Sequence, residues 1–546
     1  MASGNNSFGS SAGGFDKLHE GGMDVLRDAK ARPESRDANQ EARERRVAQL
    51  VGCPILSERV IRELTHCSQM LDQTAMPMTV NEVNILGGNN IRRPFLDPIV
   101  QPLLADQPGA PSTVGEVLAK LQETSRKLSA LQILREPPEV FLQQSDPTDA
   151  SSNPTDVNVS LSLKELPRFK LQTGTDVGNG EGSAYGSLLW RNIFGGAEML
   201  TLNARSGTRT RSAYSANLGA PVLSNPDVRV SLEALASASE KPWASHEEVL
   251  KGGSLQLSWI NRQRDSHTLE YSGLWRQVTG LGQGASATVR QDAGDSIKSA
   301  LRHTFYRERR DNPQLPQDGY MVRSKFELAG VGPLGGDVAF SKSELELGGA
   351  IPIPLPGSSQ KSGISIGGGF RMGMLWPLPL GLDLNGKAQP SRINDRFQLG
   401  GPADVRGFQL GGLGPHDGKD AVGGDLFAAG SVNMLLPLPY KGPESGLRFQ
   451  VFANGGRLVA LKSASKTQGG EGGAAAAGLS ATAVRDGMIN AVGDLLNGAP
   501  SAAAGVGLVY AHPVARFELN FSLPLVLRRG EVGTKGLQLG VGINLM

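Results

Sequence analysis

The sequence predicts an all-β transmembrane barrel of about sixteen antiparallel strands, preceded by one small α+β domain. Three observations predict it. From Pro167 onward, apolar and polar residues alternate with period two in segment after segment, while helical periodicity fades. The 546 residues include 71 glycines and no apolar run of about 18 residues, so no transmembrane helix is expected. Mean hydropathy is −0.22, a value that suits a barrel, because each strand needs to be apolar on one face only.

The N-terminal part is read differently. Residues 1–38 are rich in Gly, Ser and Asn and then in charge, and are expected to be disordered. No basic segment followed by an apolar run opens the chain, so no secretory signal is expected; Asp16, Glu20 and Asp24 are unlike a mitochondrial presequence. These features point to a eukaryotic chain made in the cytosol. Residues 39–165 form the next unit. Val47, Leu50, Val51, Ile55, Val60, Ile61 and Leu64 give a helical lead-in. Thr79 to Leu86 is strand-like and ends at the Gly87-Gly88-Asn89 turn. Phe95 to Leu104 is a short helix. Thr113 and Glu116 have the spacing of a capping box for a longer helix with Val117, Leu118, Leu121, Leu128 and Leu131 on one side. Glu139 to Gln143 and Val157 to Leu163 alternate as strands. Such a β-α-α-β-β unit leaves an open sheet edge suited to adding an extended peptide as a further strand.

In the barrel region, 166–546, each segment keeps one apolar face. Phe517, Leu519, Phe521 and Leu523 alternate with Arg516, Glu518, Asn520 and Ser522; Leu255, Leu257 and Trp259 alternate with Gln256 and Ser258. Counting such segments between Gly, Pro and Asn turns gives starts near Phe169, Ser183, Glu198, Ser212, Val228, Ser254, His267, Ile297, Tyr320, Val338, Gly363, Gly424, Leu447, Ala504, Val514 and Gly536. Charges at mid-strand on the polar face favour a barrel over a soluble sandwich. The two longest connections, Trp376 to Ala421 and 457–501, fall on the side away from the α+β unit, the habit of membrane barrels. The second is Gly/Ala-rich, then compatible with a helix from Thr482.

Little in the chain supports covalent chemistry. The seven histidines show no metal-like spacing, and Cys53 and Cys67 are expected to be idle thiols. Gly330 to Gly335 fits GxGxxG by letter, but it joins two strands and contains Pro333, so a hairpin loop is expected. No cofactor, metal or nucleic-acid partner is expected: 55 basic against 53 acidic residues leave no polybasic footprint. No catalytic constellation appears, so an enzyme is not expected.

The exception to plain alternation is Val405-Arg406-Gly407-Phe408, inside the long connection and flanked by glycines. With one small N-terminal module and a barrel of this size, it resembles the outer-membrane β-barrel assembly family that includes bacterial BamA. Within that family the chain is similar to the barrel subunits of the mitochondrial sorting and assembly machinery, of fungal type. The α+β unit is similar to a POTRA domain; bacterial members usually carry several. The resemblance implies that the loop tucks into the lumen and that Arg406 meets polar groups on the wall. The family's wall motif F-x-D-x-G reads here Phe452-Ala453-Asn454-Gly455-Gly456, with Asn454 in place of Asp. Gln450, Phe452 and Asn454 point inward by alternation, as does Asp425, the expected counter-charge for Arg406.

The resemblance further implies an insertase for β-barrel precursors, with a lateral gate between the first and last strands. The first would offer Lys170, Leu171, Gln172, Thr173, Gly174 and Thr175. The last would carry Gln538, Gly540, Gly542, Ile543 and Leu545, of which Gln538, Gly540, Ile543 and Leu545 also fit the family's sorting signal. Implied partners are barrel precursors such as porin and the import-channel barrel, two peripheral subunits on the cytosolic face, small intermembrane-space chaperones and the bilayer. The implied location is the mitochondrial outer membrane, with the POTRA domain and C-terminus toward the intermembrane space. The rival readings are a passive protein-conducting channel, of the two-partner secretion or chloroplast import type, and a soluble β-rich binding protein.

Overall fold

The computed structural model describes residues 75–104, 112–145, 155–178, 181–354, 362–381, 386–439, 445–461, 479–512 and 516–542. The expected extension 1–38, the helical lead-in, both cysteines, Ile543 and Leu545 lie outside these residues.

The first unit runs β1 (Pro77–Gly87), α1 (Arg93–Val100), β2 (Ser112–Thr113), α2 (Val114–Ala130), β3 (Glu139–Gln144) and β4 (Asp156–Leu163). Its sheet order is β2-β1-β4-β3, with β1 parallel to β4 and the other pairs antiparallel. The capping box forms at the start of α2: Glu116 N–H donates to Thr113 Oγ1, and Thr113 N–H donates to Glu116 Oε2, each at 3.3 Å. Leu96, Ile99, Val117, Leu121 and Leu128 pack on Val159 and Leu161 of the sheet. Inward apolar residues at three- and four-residue steps meet inward strand residues at every second step, which is why this stretch closes a core.

Sixteen strands follow in one antiparallel sheet. They are β5 (Phe169–Gly178), β6 (Glu181–Arg191), β7 (Met199–Gly207), β8 (Thr210–Val222), β9 (Asn225–Lys241), β10 (His246–Ile260), β11 (Ser266–Thr279) and β12 (Gly294–Glu308). After them come β13 (Gly319–Ala329), β14 (Phe340–Pro352) and β15 (Ser365–Pro377). A two-strand ribbon, β16 (His416–Asp417) with β17 (Asp420–Ala421), interrupts the series inside the long connection. The sheet resumes with β18 (Leu426–Pro437), β19 (Leu447–Val459), β20 (Ser501–Ala511), β21 (Arg516–Val526) and β22 (Gly536–Gly542). Each strand pairs with its neighbours in sequence, and β15 pairs directly with β18 across the long connection. The short helix α3 (Ala287–Gln291) follows β11, and α4 (Ala481–Asn497) precedes β20, where the sequence is helix-compatible.

Alternation sorts the side chains as a lipid-facing barrel requires. On β21, Leu519 and Phe521 are 45% and 46% exposed, whereas Arg516, Glu518, Asn520 and Ser522 are buried inside. Expected strand starts lie within a few residues of the observed ones except for β10. It begins at His246 rather than Ser254, because its first turn of chain, His246-Glu247-Glu248, is polar and gives no alternation to detect. The α+β unit sits against the turn that follows β6 and the start of β9: Arg92 N–H donates to Gly195 O at 2.9 Å, and Arg126 pairs with Asp227 at 3.1 Å. The long connections open at the opposite end.

Among the described residues, no ladder joins the two ends of the sheet. Among these residues, the edge of β5 away from β6 and the edge of β22 away from β21 pair with no other strand.

Candidate functional site: a loop seated in the lumen

The connection between β15 and β18 folds back into the barrel. Phe397, Leu399, Val405, Phe408 and Leu413 form one buried cluster with Leu375, Phe427, Ala429, Leu458 and Ala503 of the wall. Room for the loop comes from small wall residues: a Cβ on Gly456 would stand 2.9 Å from Leu399. The turn itself depends on Gly407, whose φ is 87° and whose added Cβ would fall 2.6 Å from the Ala503 side chain. Left-handed backbone and contact with the wall both require glycine there.

Arg406 is 1% exposed and makes a bidentate pair with Glu518 of β21. Its Nε donates at 2.9 Å and one Nη at 3.2 Å. The planar guanidinium fork matches a carboxylate in this geometry. Its face lies over the Phe452 ring, 5.0 Å from the centroid. Glu518 is shared. Arg516 also pairs with it at 2.6 Å, Asn520 donates to it at 2.8 Å and Gln450 at 3.3 Å.

This corrects the expectation that Asp425 supplies the counter-charge. Asp425 is buried, but it accepts from the Ser391 hydroxyl, inside the long connection, and from Leu461 N–H at 2.9 Å, just past β19. Asn454 also does something other than expected. With its amide turned to satisfy both neighbours, its oxygen accepts from the backbone N–H of Arg406, and its nitrogen donates to Ala503 O at 3.0 Å. An aspartate accepts but does not donate, so Asn suits a position with a carbonyl on one side and an N–H on the other.

A second anchor was missed in the sequence. Asp395, earlier in the loop, receives two hydrogen bonds from Arg276, at 2.6 and 3.1 Å, and one from Lys298 at 3.2 Å. Lys342 donates to its backbone carbonyl at 2.9 Å. Beside it, Asn394 donates to Glu248 at 2.7 Å. Asp404 pairs with Arg371 of β15. The loop therefore presents an acid to a basic wall on β11 and β12 and a base to an acidic position on β21.

The expected gate residues sit on the edge strands. Lys170 to Thr175 pair with Leu189 to Ala184 of β6, and Tyr185 covers Gly174 closely enough that a Cβ would meet its ring. Gln538 and Gly540 face inward on β22 and meet the loop: Gly407 N–H donates to Gln538 Oε1 at 2.8 Å. Gly542 pairs with Arg516. The connection from β21 to β22 joins the seat through Thr534 N–H to Gly407 O at 2.8 Å and Gln409 N–H to Val532 O at 3.2 Å.

Comparison with known proteins matches this architecture. The model of the Omp85 superfamily domain matches residues 192–545. A SAM50-like protein of Schizosaccharomyces pombe is 35% identical over 479 residues, covering 87% of this chain and 93% of that protein. The sorting and assembly machinery component 50 homolog of Homo sapiens is 32% identical over 438 residues, covering 79% and 84%. Among solved structures, BamA from Haemophilus ducreyi lacking POTRA domains 1–3 superposes with a TM-score of 0.62 at 15% identity, covering 85% and 84%. The chain belongs to the Omp85 superfamily, and within it to the SAM50 family.

Proposed function

We propose that the protein is the barrel component of a machinery that inserts β-barrel precursors into the mitochondrial outer membrane. Its vertebrate relatives are named as sorting and assembly machinery component 50 homologs. The observation that carries the reading is the pair of strand edges, on β5 and β22, with no ladder between them among the described residues. In hydrocarbon an unpaired backbone group costs several kcal/mol, so a strand entering the membrane needs a template. The β5 edge, Lys170 to Thr175, offers that template, and β22 forms the other side of the gate. The α+β unit acts as a POTRA domain on the intermembrane-space side. Its edge strand β3, with Phe141 exposed, receives precursors by strand addition, and peripheral subunits sit at the opposite, cytosolic end.

No bond is made or broken in this cycle, so the protein works as a template rather than an enzyme. The seated loop supports this reading over a passive conduit, since charged anchors on both walls fix polypeptide across the lumen. The test is assembly of radiolabelled porin into membranes depleted of the protein and then resupplied. Resupply should restore assembly. A cysteine pair on the outer face of the edge strands, Leu171→Cys with Leu539→Cys, should block it when oxidised and permit it when reduced. Full assembly through the oxidised barrel rules out the lateral gate. Assembly that persists after depletion rules out the insertion role.

A further inference from the structure

The loop meets β21 through charge, but it meets β22 through a single side chain. The inner-facing described positions of β22 are Gly536, Gln538 and Gly540, so among the described residues Gln538 is the one inward side chain beyond hydrogen that the strand offers. Gln538 Oε1 accepts from Gly407 N–H at 2.8 Å, and its Nε2 reaches Phe408 O at 3.5 Å. Asn520, opposite Gln538 in the ladder, is occupied with Glu518 and Gln450. The loop also presses on the strand at Gly540, where a Cβ would stand 3.3 Å from Pro402 O.

β22 is otherwise weakly held. Among the described residues it is seven residues long and laddered on one edge, and its inward glycines add no packing. We infer that Gln538 is a positioning residue that latches the edge strand β22 to the seated loop. Displacement of β22 and release of the Val405–Phe408 turn are then one event, and by linkage each favours the other to the same extent. An incoming strand that draws β22 outward loosens the loop, and a seated loop holds β22 in place. The inference takes its consequence from the gate reading above but stands on contacts between loop and strand.

The test uses the full-length protein in membranes and reads hydrogen exchange of the β22 backbone amides. Gln538→Met keeps the length and removes both hydrogen bonds; it should speed β22 exchange about fivefold to tenfold. Leu537→Met, on the outer face of the same strand, should not. Arg406→Ala releases the loop from β21 without touching Gln538. It should speed β22 exchange by a similar factor in the parent and add nothing in the Gln538→Met background. Unchanged exchange in Gln538→Met overturns the latch. So does an Arg406→Ala effect of equal size in both backgrounds, because it would then travel through β21 or the β21–β22 connection rather than through Gln538. Porin assembly measured in parallel separates the two readings: coupled exchange without assembly sinks the insertion role and retains the latch.

Discussion

Glu518→Gln removes one negative charge from between two buried guanidinium groups. The carboxylate is 0% exposed and receives Arg406 through two hydrogen bonds and Arg516 at 2.6 Å. Removing one partner of a buried ion pair costs about 3–5 kcal/mol. Arg516 retains the Gln450 side chain at 3.2 Å and Gln314 O at 2.9 Å, so part of its stabilisation survives. Arg406 retains the Phe452 face, worth about 0.5–2 kcal/mol. The low end of the pair term, about 3 kcal/mol, is therefore the working figure for loop seating. At tenfold per 1.4 kcal/mol, the unseated population rises about a hundredfold. The assay is the labelling rate of a cysteine at Ala403, beside the motif, by a water-soluble maleimide, with Cys53 and Cys67 replaced by serine. Asp425→Asn is the control, since Asp425 holds Ser391 and Leu461 rather than Arg406. An unchanged labelling rate in Glu518→Gln, or an equal rise in the control, would refute the assignment of Glu518 as the lock.

Three further outcomes are expected. Gly407→Ala should unseat the turn, since a left-handed L-residue costs about 1–2 kcal/mol before the contact with Ala503 is counted; the same labelling assay reads it, and Ala503→Gly should recover part of the loss. Asp395→Asn should leave Arg276, 0% exposed, without its carboxylate partner, while Lys298 keeps Glu327, and should raise protease cleavage of the loop about as strongly as Glu518→Gln. Asn454→Asp, which restores the usual family residue, should destabilise the seat by about 1–3 kcal/mol, because Ala503 O loses its donor; thermal melting of the barrel in detergent checks this.

Strand order and inner face were legible because lipid on one side and a polar lumen on the other impose period-two alternation on every strand. That pattern placed Glu518 on the inner face of its strand, beside Arg516 and Asn520. It did not say which inward acid stands at the height of Arg406, since height depends on the fold-back path of the loop. Asp425 is near Arg406 in sequence, whereas Glu518 lies 112 positions away. The Asp395 anchor was opaque for the same reason. Its partner Arg276 is 119 positions distant, and Arg392-Ile393-Asn394-Asp395-Arg396 reads like any solvated turn. The role of Asn454 was hidden by chemistry rather than distance: the substitution looks like a weakened acid until Ala503 O is seen beside it.

The opposite signs of the two loop anchors have an evolutionary consequence. Asp395 and Arg406 answer walls of opposite charge, so the loop and the barrel form one inherited unit. Exchanging the loop alone between distant relatives should yield inactive chimeras wherever a wall residue such as Lys298, Arg276 or Glu518 differs. Exchanging loop and walls together should not. Drift at these positions is expected to proceed by paired replacements, leaving compensated substitutions between segments far apart in the chain.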